Sequence, residues 1–188
     1  MIPRHPHILD RNNTVLVAVD LQEPFLRNIH DRERVIKNCT LLIKAALTLS
    51  VPVVTTLQYA DRMGGLVPEI ANLFQGVEPS TFDKLVFSCC GNEDFNAAVS
   101  ANGRRQVLLC GVESHICVTQ TSLDLIHRSH QVQVAVDAIS SRTHENYLLG
   151  VEKMKANGVI PVASEGAVYE MLYAATAPEF KAILSLVK

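Results

Sequence analysis

The chain has 188 residues, of which 48% are hydrophobic and 19% charged, with a formal net charge of −2. That length fits one domain with a full core, and so slight a charge gives no reason to expect nucleic acid or an anionic membrane as partner. Apolar runs such as Val15–Val19 have strand length and cannot span a bilayer. The first seven residues lack the apolar stretch of a signal peptide, and five cysteines is an odd number. Together these predict free thiols, a reducing compartment and a cytoplasmic location.

Residues 1–12 read as a loose tail, and 13–188 as the domain. Thr14–Val19 is a continuous apolar run ending at Asp20. Residues 31–49 place Val35, Cys39, Leu42, Ile43, Ala46 and Leu47 on one helix face. Pro52–Leu57 reads as a second strand. The polar stretch from Gln58 to about Ser80, with Gly64-Gly65 and Pro68, has room for one short helix. A short third strand is expected around Thr81–Lys84. Asn92–Ala101 reads as a helix capped by Asn92. A buried strand over 106–110 and a helix over about 115–129 follow. Val132–Val136 is a fifth strand, and a helix over 143–157 stops at Asn157-Gly158. Val159–Val162 is an edge strand, because it contains Pro161. Helices over 164–173 and 178–187 close the chain.

Strands alternating with helices, and strands apolar throughout, predict an α/β domain with a parallel sheet covered on both faces. In such sheets the site lies beyond the carboxyl ends of the strands, near the switch in strand order. Asp20 and Cys117 each follow a strand, so neighbouring first and fourth strands would bring both to one crevice. Cys117 falls in the first turn of a helix. Unpaired N–H groups and the positive end of the helix dipole there favour thiolate, the nucleophilic form.

Asp20 in Val19-Asp20-Leu21-Gln22, Lys84 in Phe82-Asp83-Lys84, and Cys117 in Gly111-Val112-Glu113-Ser114-His115-Ile116-Cys117-Val118 match the triad of the isochorismatase-like cysteine hydrolases in order and spacing. Thr56-Leu57-Gln58-Tyr59, Lys84–Ser88, Leu108–Glu113, Asp137–Arg142 and Ala163-Ser164-Glu165 resemble that family's framing segments. The resemblance covers residues 13–187 and is nearest to isochorismatase-domain proteins of unsettled substrate. It implies a single doubly wound domain, with a six-stranded, mostly parallel sheet in the order 3-2-1-4-5-6.

The resemblance also implies a mechanism. Asp20 takes the thiol proton, and Lys84 stabilises carboxylate and thiolate by charge, lowering the cysteine pKa. The thiolate attacks an amide or related carbonyl, and the backbone N–H groups of Glu113 and Cys117 receive the oxyanion. A cis peptide is expected at Val112–Glu113. By position, Phe25, Gln58, Tyr59 and His115 are expected to line the substrate pocket, and Ala60–Leu66 to form a cover with a glycine hinge.

Nicotinamidases of this superfamily hold a metal with an aspartate and histidine cluster. Here residues 58–83 contain no histidine, leaving only Asp61, Glu69, Glu78 and Asp83. No metal and no cofactor are therefore expected. His127 and His130 read as cations favouring a helix end. Isochorismatases proper work without a cysteine nucleophile, which counts against that activity. The expected partner is a small-molecule substrate, with no nucleic acid and no membrane, and relatives suggest a homo-oligomer. Three alternatives stay open: an idle binding or scaffold protein, a thiol-redox protein using Cys89 or Cys90, and a metal-dependent amidase.

Overall fold

The computed structural model describes residues 4–77 and 79–188. Its centre is a six-stranded parallel sheet in the order β3-β2-β1-β4-β5-β6. The strands are β1 (Thr14–Val19), β2 (Val53–Gln58), β3 (Ser80–Lys84), β4 (Gln106–Val112), β5 (Gln131–Ser140) and β6 (Ile160–Val162). Side chains alternate across a strand, so β1 serves two cores. Leu16 and Ala18 face one; Val15, Val17 and Val19 face the other. That is why β1 is apolar at every position between Val15 and Val19.

One face is covered by α2 (Arg32–Thr48), α8 (Ser164–Leu172) and α9 (Phe180–Val187), which bury Leu42, Ile43, Val168, Met171 and Ile183. The other is covered by α5 (Glu93–Val99), α6 (Thr119–His127) and α7 (His144–Ala156), which bury Phe95, Val99, Leu125 and Met154. Asn92 caps α5 by accepting from the Phe95 N–H at 3.0 Å. Pro161 sits in the edge strand, where its missing N–H costs no ladder bond.

Several expectations are corrected. The short helix α1 (Glu23–Leu26), with Pro24 in its first turn, was not expected. The polar stretch holds two short helices, α3 (Ala60–Met63) and α4 (Pro68–Ala71), and a 3₁₀ turn over Asn72–Phe74. Residues 4–12 are not loose: Leu9 is fully buried, and Gln106 Nε2 donates to the carbonyls of Pro6 and Ile8. β5 runs on to Ser140 through an irregularity opposite Leu109–Gly111. The expected cover is tied down, because the Gly64 carbonyl accepts from Gln22 Nε2 at 2.7 Å and Leu66 bridges to Gln22.

The sheet order puts the carboxyl ends of β3, β2, β1 and β4 side by side. Gln58 is in register with Lys84, and Val19 with Gly111. At Gly111 φ is +109°, and a Cβ would lie 2.1 Å from the Val19 carbonyl oxygen. Only glycine lets β4 approach β1 there, and that approach carries the segment after β4 toward Asp20.

Candidate active site

Asp20 follows β1 with φ +49°, a left-handed turn that takes the chain out of the sheet. The residue is 2% exposed, and its carboxylate is held on both oxygens. Thr56 Oγ1 donates to Oδ1 at 2.7 Å, and Lys84 Nζ donates to Oδ2 at 2.7 Å. Lys84, the last residue of β3, also donates to Gln58 Oε1 at 2.6 Å and reaches Cys117 Sγ at 3.7 Å. Gln58 Nε2 in turn donates to the Leu85 carbonyl at 2.9 Å. Both polar ends of Gln58 are therefore used within the protein, and it orients the Lys84 ammonium. Gln22, two residues beyond Asp20, accepts from the Gln58 N–H at 2.7 Å and locks the ends of β1 and β2 together.

Cys117 lies in a single π turn, Ser114–Val118, between β4 and α6. The peptide between Val112 and Glu113 is cis. The Glu113 carbonyl accepts from the N–H groups of Ile116 and Val118, which winds the turn around the sulfur. The Glu113 carboxylate is pinned by Arg142, through Nε and the backbone N–H, both at 3.1 Å. Gly150 of α7 lets the helix backbone lie against the turn: a Cβ there would sit 2.9 Å from the His115 nitrogen.

Burial works against the Lys84 ammonium, but the Asp20 charge and the hydrogen bond to it outweigh burial and hold it above its ordinary range. The thiol behaves otherwise. Burial, the Asp20 charge and a hydrogen bond to Asp20 push Cys117 well up, with Lys84 pulling the other way. The expected resting thiolate is thereby corrected. The charges of Asp20 and Lys84 oppose each other at the sulfur, and the cost of burying a third charge decides the outcome. Burial thus opposes the thiolate that the start of the helix favours.

A cleft of about 60 Å³ opens on this group, lined by Asp20, Phe25, Gln58, Phe87, Val112, Glu113, Ile116 and Cys117. Of the residues expected to line it, Phe25 and Gln58 do. Tyr59 and His115 are not among the lining residues. Tyr59 carries the Arg62 guanidinium over its ring at 5.3 Å, and His115 Nδ1 pairs with Ser141 Oγ at 2.9 Å. Phe87, Ile116 and Thr56 were not singled out for the site. Thr56 lies two residues before Gln58, on the strand next to Asp20, so register was the signal available for it.

Cys89 is buried behind the carboxylate, with Sγ 3.6 Å from Thr56 Oγ1, and burial pushes its thiol up to about 12. Of the carboxylates considered for a metal, Asp83 accepts from the Ala60 N–H and Glu69 pairs with Arg32. Glu78 lies outside the described residues. Among the described residues no three metal-ligating side chains cluster.

This geometry has relatives. The isochorismatase domain description matches residues 14–166. The chain belongs to the isochorismatase family. A secreted isochorismatase effector, Isc1, from Phytophthora sojae is 37% identical over 94% of this chain and 85% of its own. A MAR1 ribonuclease structure from Caenorhabditis elegans is 36% identical with a TM-score of 0.84, covering 95% of this chain and 91% of that one. YcaC from Pseudomonas aeruginosa, solved with hexane-2,5-diol and covalent acrylamide, is 25% identical with a TM-score of 0.87, covering 98% and 93%. The isochorismatase-like hydrolase fold, with its 3-2-1-4-5-6 sheet, is thus the one this chain adopts. No helix among the described residues is long and apolar enough to cross a membrane.

Proposed function

We propose that this isochorismatase-family protein is a cysteine hydrolase of a small amide or related C–N bond. One observation carries the reading: Lys84 Nζ lies 2.7 Å from the Asp20 carboxylate and 3.7 Å from the Cys117 sulfur, and Asp20 and Cys117 both line one cleft. Asp20 takes the thiol proton as sulfur attacks the carbonyl carbon. Neutral thiol and charged carboxylate are the starting state, so the proton moves with S–C bond formation rather than before it. Lys84, hydrogen-bonded to that carboxylate, balances the charge as the proton moves. The backbone N–H groups of Glu113 and Cys117, both at the cleft, receive the oxyanion. The C–N bond breaks, the amine leaves with the proton from Asp20, and a thioester remains. Asp20 then draws a proton from water, hydroxide adds to the thioester carbonyl, and the acid leaves as the proton returns to sulfur.

A cleft this size holds a handful of non-hydrogen atoms, which suits a small amide better than a nucleotide. Phe25, Phe87 and Ile116 supply apolar walls. The ribonuclease name of one relative is therefore not carried to this chain. The covalent acrylamide in YcaC fits a reactive group that meets a small amide. All five cysteines are free and buried, in keeping with a reducing, cytoplasmic setting. Exposed Leu85, Val86, Leu148 and Leu149 offer apolar surface for a homo-oligomer, which light scattering in solution tests. The mechanism is tested by mass spectrometry of Cys117→Ser exposed to a panel of small amides. An acyl group trapped on the substituted hydroxyl is the expected result. Turnover by Cys117→Ala at the wild-type rate would contradict the reading.

A further inference from the structure

At the amino ends of the strands, away from the cleft, Ser100, Arg104, Arg105, Arg128, Ser129 and His130 line a hollow of about 220 Å³. Arg105 precedes β4 and Arg128 follows α6. The hollow thus sits at the far ends of the two elements that carry Glu113 and Cys117. The seven residues of β4 separate it from the cleft, roughly 20 Å at the rise of a strand.

Three arginines line this one hollow in a chain of net charge −2. Among the described residues none of the three is in an ion pair. Arg104 is fixed through Nη1, which donates to the carbonyls of Arg11 at 2.7 Å and Thr14 at 2.9 Å. Its Nε is shut off from solvent without a partner. Arg128 makes one long contact, from Nη2 to the Cys90 carbonyl at 3.5 Å. His130 Nε2 lies 3.3 Å from Ser100 Oγ, while Nδ1 is enclosed with no hydrogen bond of ordinary geometry. Burial, helped by the Arg105 and Arg128 charges and opposed by the Arg105 backbone, holds the ring below its ordinary range.

We propose that this hollow binds a dianionic phosphate group, free or on a small ester. An oxyanion relieves the repulsion among the guanidiniums. It also gives acceptors to the exposed guanidiniums of Arg105 and Arg128, of which Arg128 makes only the long contact to the Cys90 carbonyl. Phosphate supplies two charges and several oxygens matched to the guanidinium fork. A carboxylate supplies one charge and two oxygens and leaves more of these donors unmet.

The test titrates inorganic phosphate and, separately, phenyl phosphate into the protein at ionic strength held constant with chloride, following the His130 ring signals by NMR. Saturable shifts, with the two ligands competing, are expected. The tighter of the two identifies free phosphate or an ester as the better fit. Arg105 and Arg128 are exposed, so Arg105→Ala and Arg128→Ala leave the fold intact. Each is expected to weaken binding about tenfold. Linear, unsaturable shifts, or unchanged affinity in the double variant, would overturn the proposal. So would a short single-stranded RNA that binds through the same arginines more tightly than either phosphate.

Discussion

The Asp20–Lys84 pair is the part of the site whose energetics follow most directly from its geometry. The two side chains are 3% and 1% exposed and 2.7 Å apart. Replacing one partner leaves the other buried and uncompensated, which costs about 3–5 kcal/mol. Lys84→Met also removes the donor to Gln58 Oε1, whereas Asp20→Asn keeps an acceptor for Thr56. Lys84→Met is therefore the more damaging single change. In a domain of this size the loss corresponds to a fall in Tm of ~6–20 °C. The double variant, Asp20→Asn with Lys84→Met, removes both charges. Its cost is expected to fall short of the summed singles by up to ~3 kcal/mol. Urea unfolding at neutral pH, followed by circular dichroism, measures all three. Singles costing under ~1 kcal/mol and strictly additive would mean that the pair is solvated, and would refute the reasoning about the buried triad.

Thr56→Val removes the donor to Asp20 Oδ1. A loss of ~1–3 kcal/mol is expected in the same unfolding assay, along with slower reaction at Cys117; unchanged reactivity would deny Thr56 its positioning role. Gly150→Ala places a Cβ 2.9 Å from the His115 nitrogen, so the turn must shift. Turnover is expected to fall even where thermal denaturation shows a folded protein, and wild-type turnover would show that the turn tolerates displacement.

Burial pushes the Cys89 thiol up to about 12. The unfolded chain therefore loses this proton first as pH rises, and folding stability present below ~8.5 falls above it, at up to ~1.4 kcal/mol per pH unit. Urea midpoints measured across the alkaline range should fall less steeply in Cys89→Ala than in wild type. Equal slopes would place that sulfur in contact with solvent.

The centre of the sheet was legible because β1 and β4 are buried at every position. A run such as Val15–Val19 has no polar interruption to confuse its reading, and the order of the strands came with the family resemblance. Asp20 and Cys117 were paired because one follows β1 and the other follows β4 at a helix start, whereas Lys84 came with the family resemblance. The elements misread are those whose structure depends on distant partners. The cover over 60–66 looked hinged at Gly64, but Gln22, more than forty positions earlier, holds that carbonyl. Gln58 lines the cleft as expected, but its amide is also held by Lys84 and the Leu85 carbonyl, which its position in the sequence did not show. His115 turned out to be held by Ser141, just past the end of β5. The resting state of the sulfur was misjudged for a similar reason. Its position at a helix start argues for thiolate, but burial and Asp20 are tertiary facts, and they dominate.

The most direct measurement is the rate of acrylamide addition to the protein, read by intact mass and mapped by peptide sequencing, in wild type and in Asp20→Asn. The account predicts a single adduct on Cys117, formed at least about tenfold more slowly when the base is gone. Equal rates in the two proteins, or label on another cysteine, would contradict a nucleophile activated by Asp20.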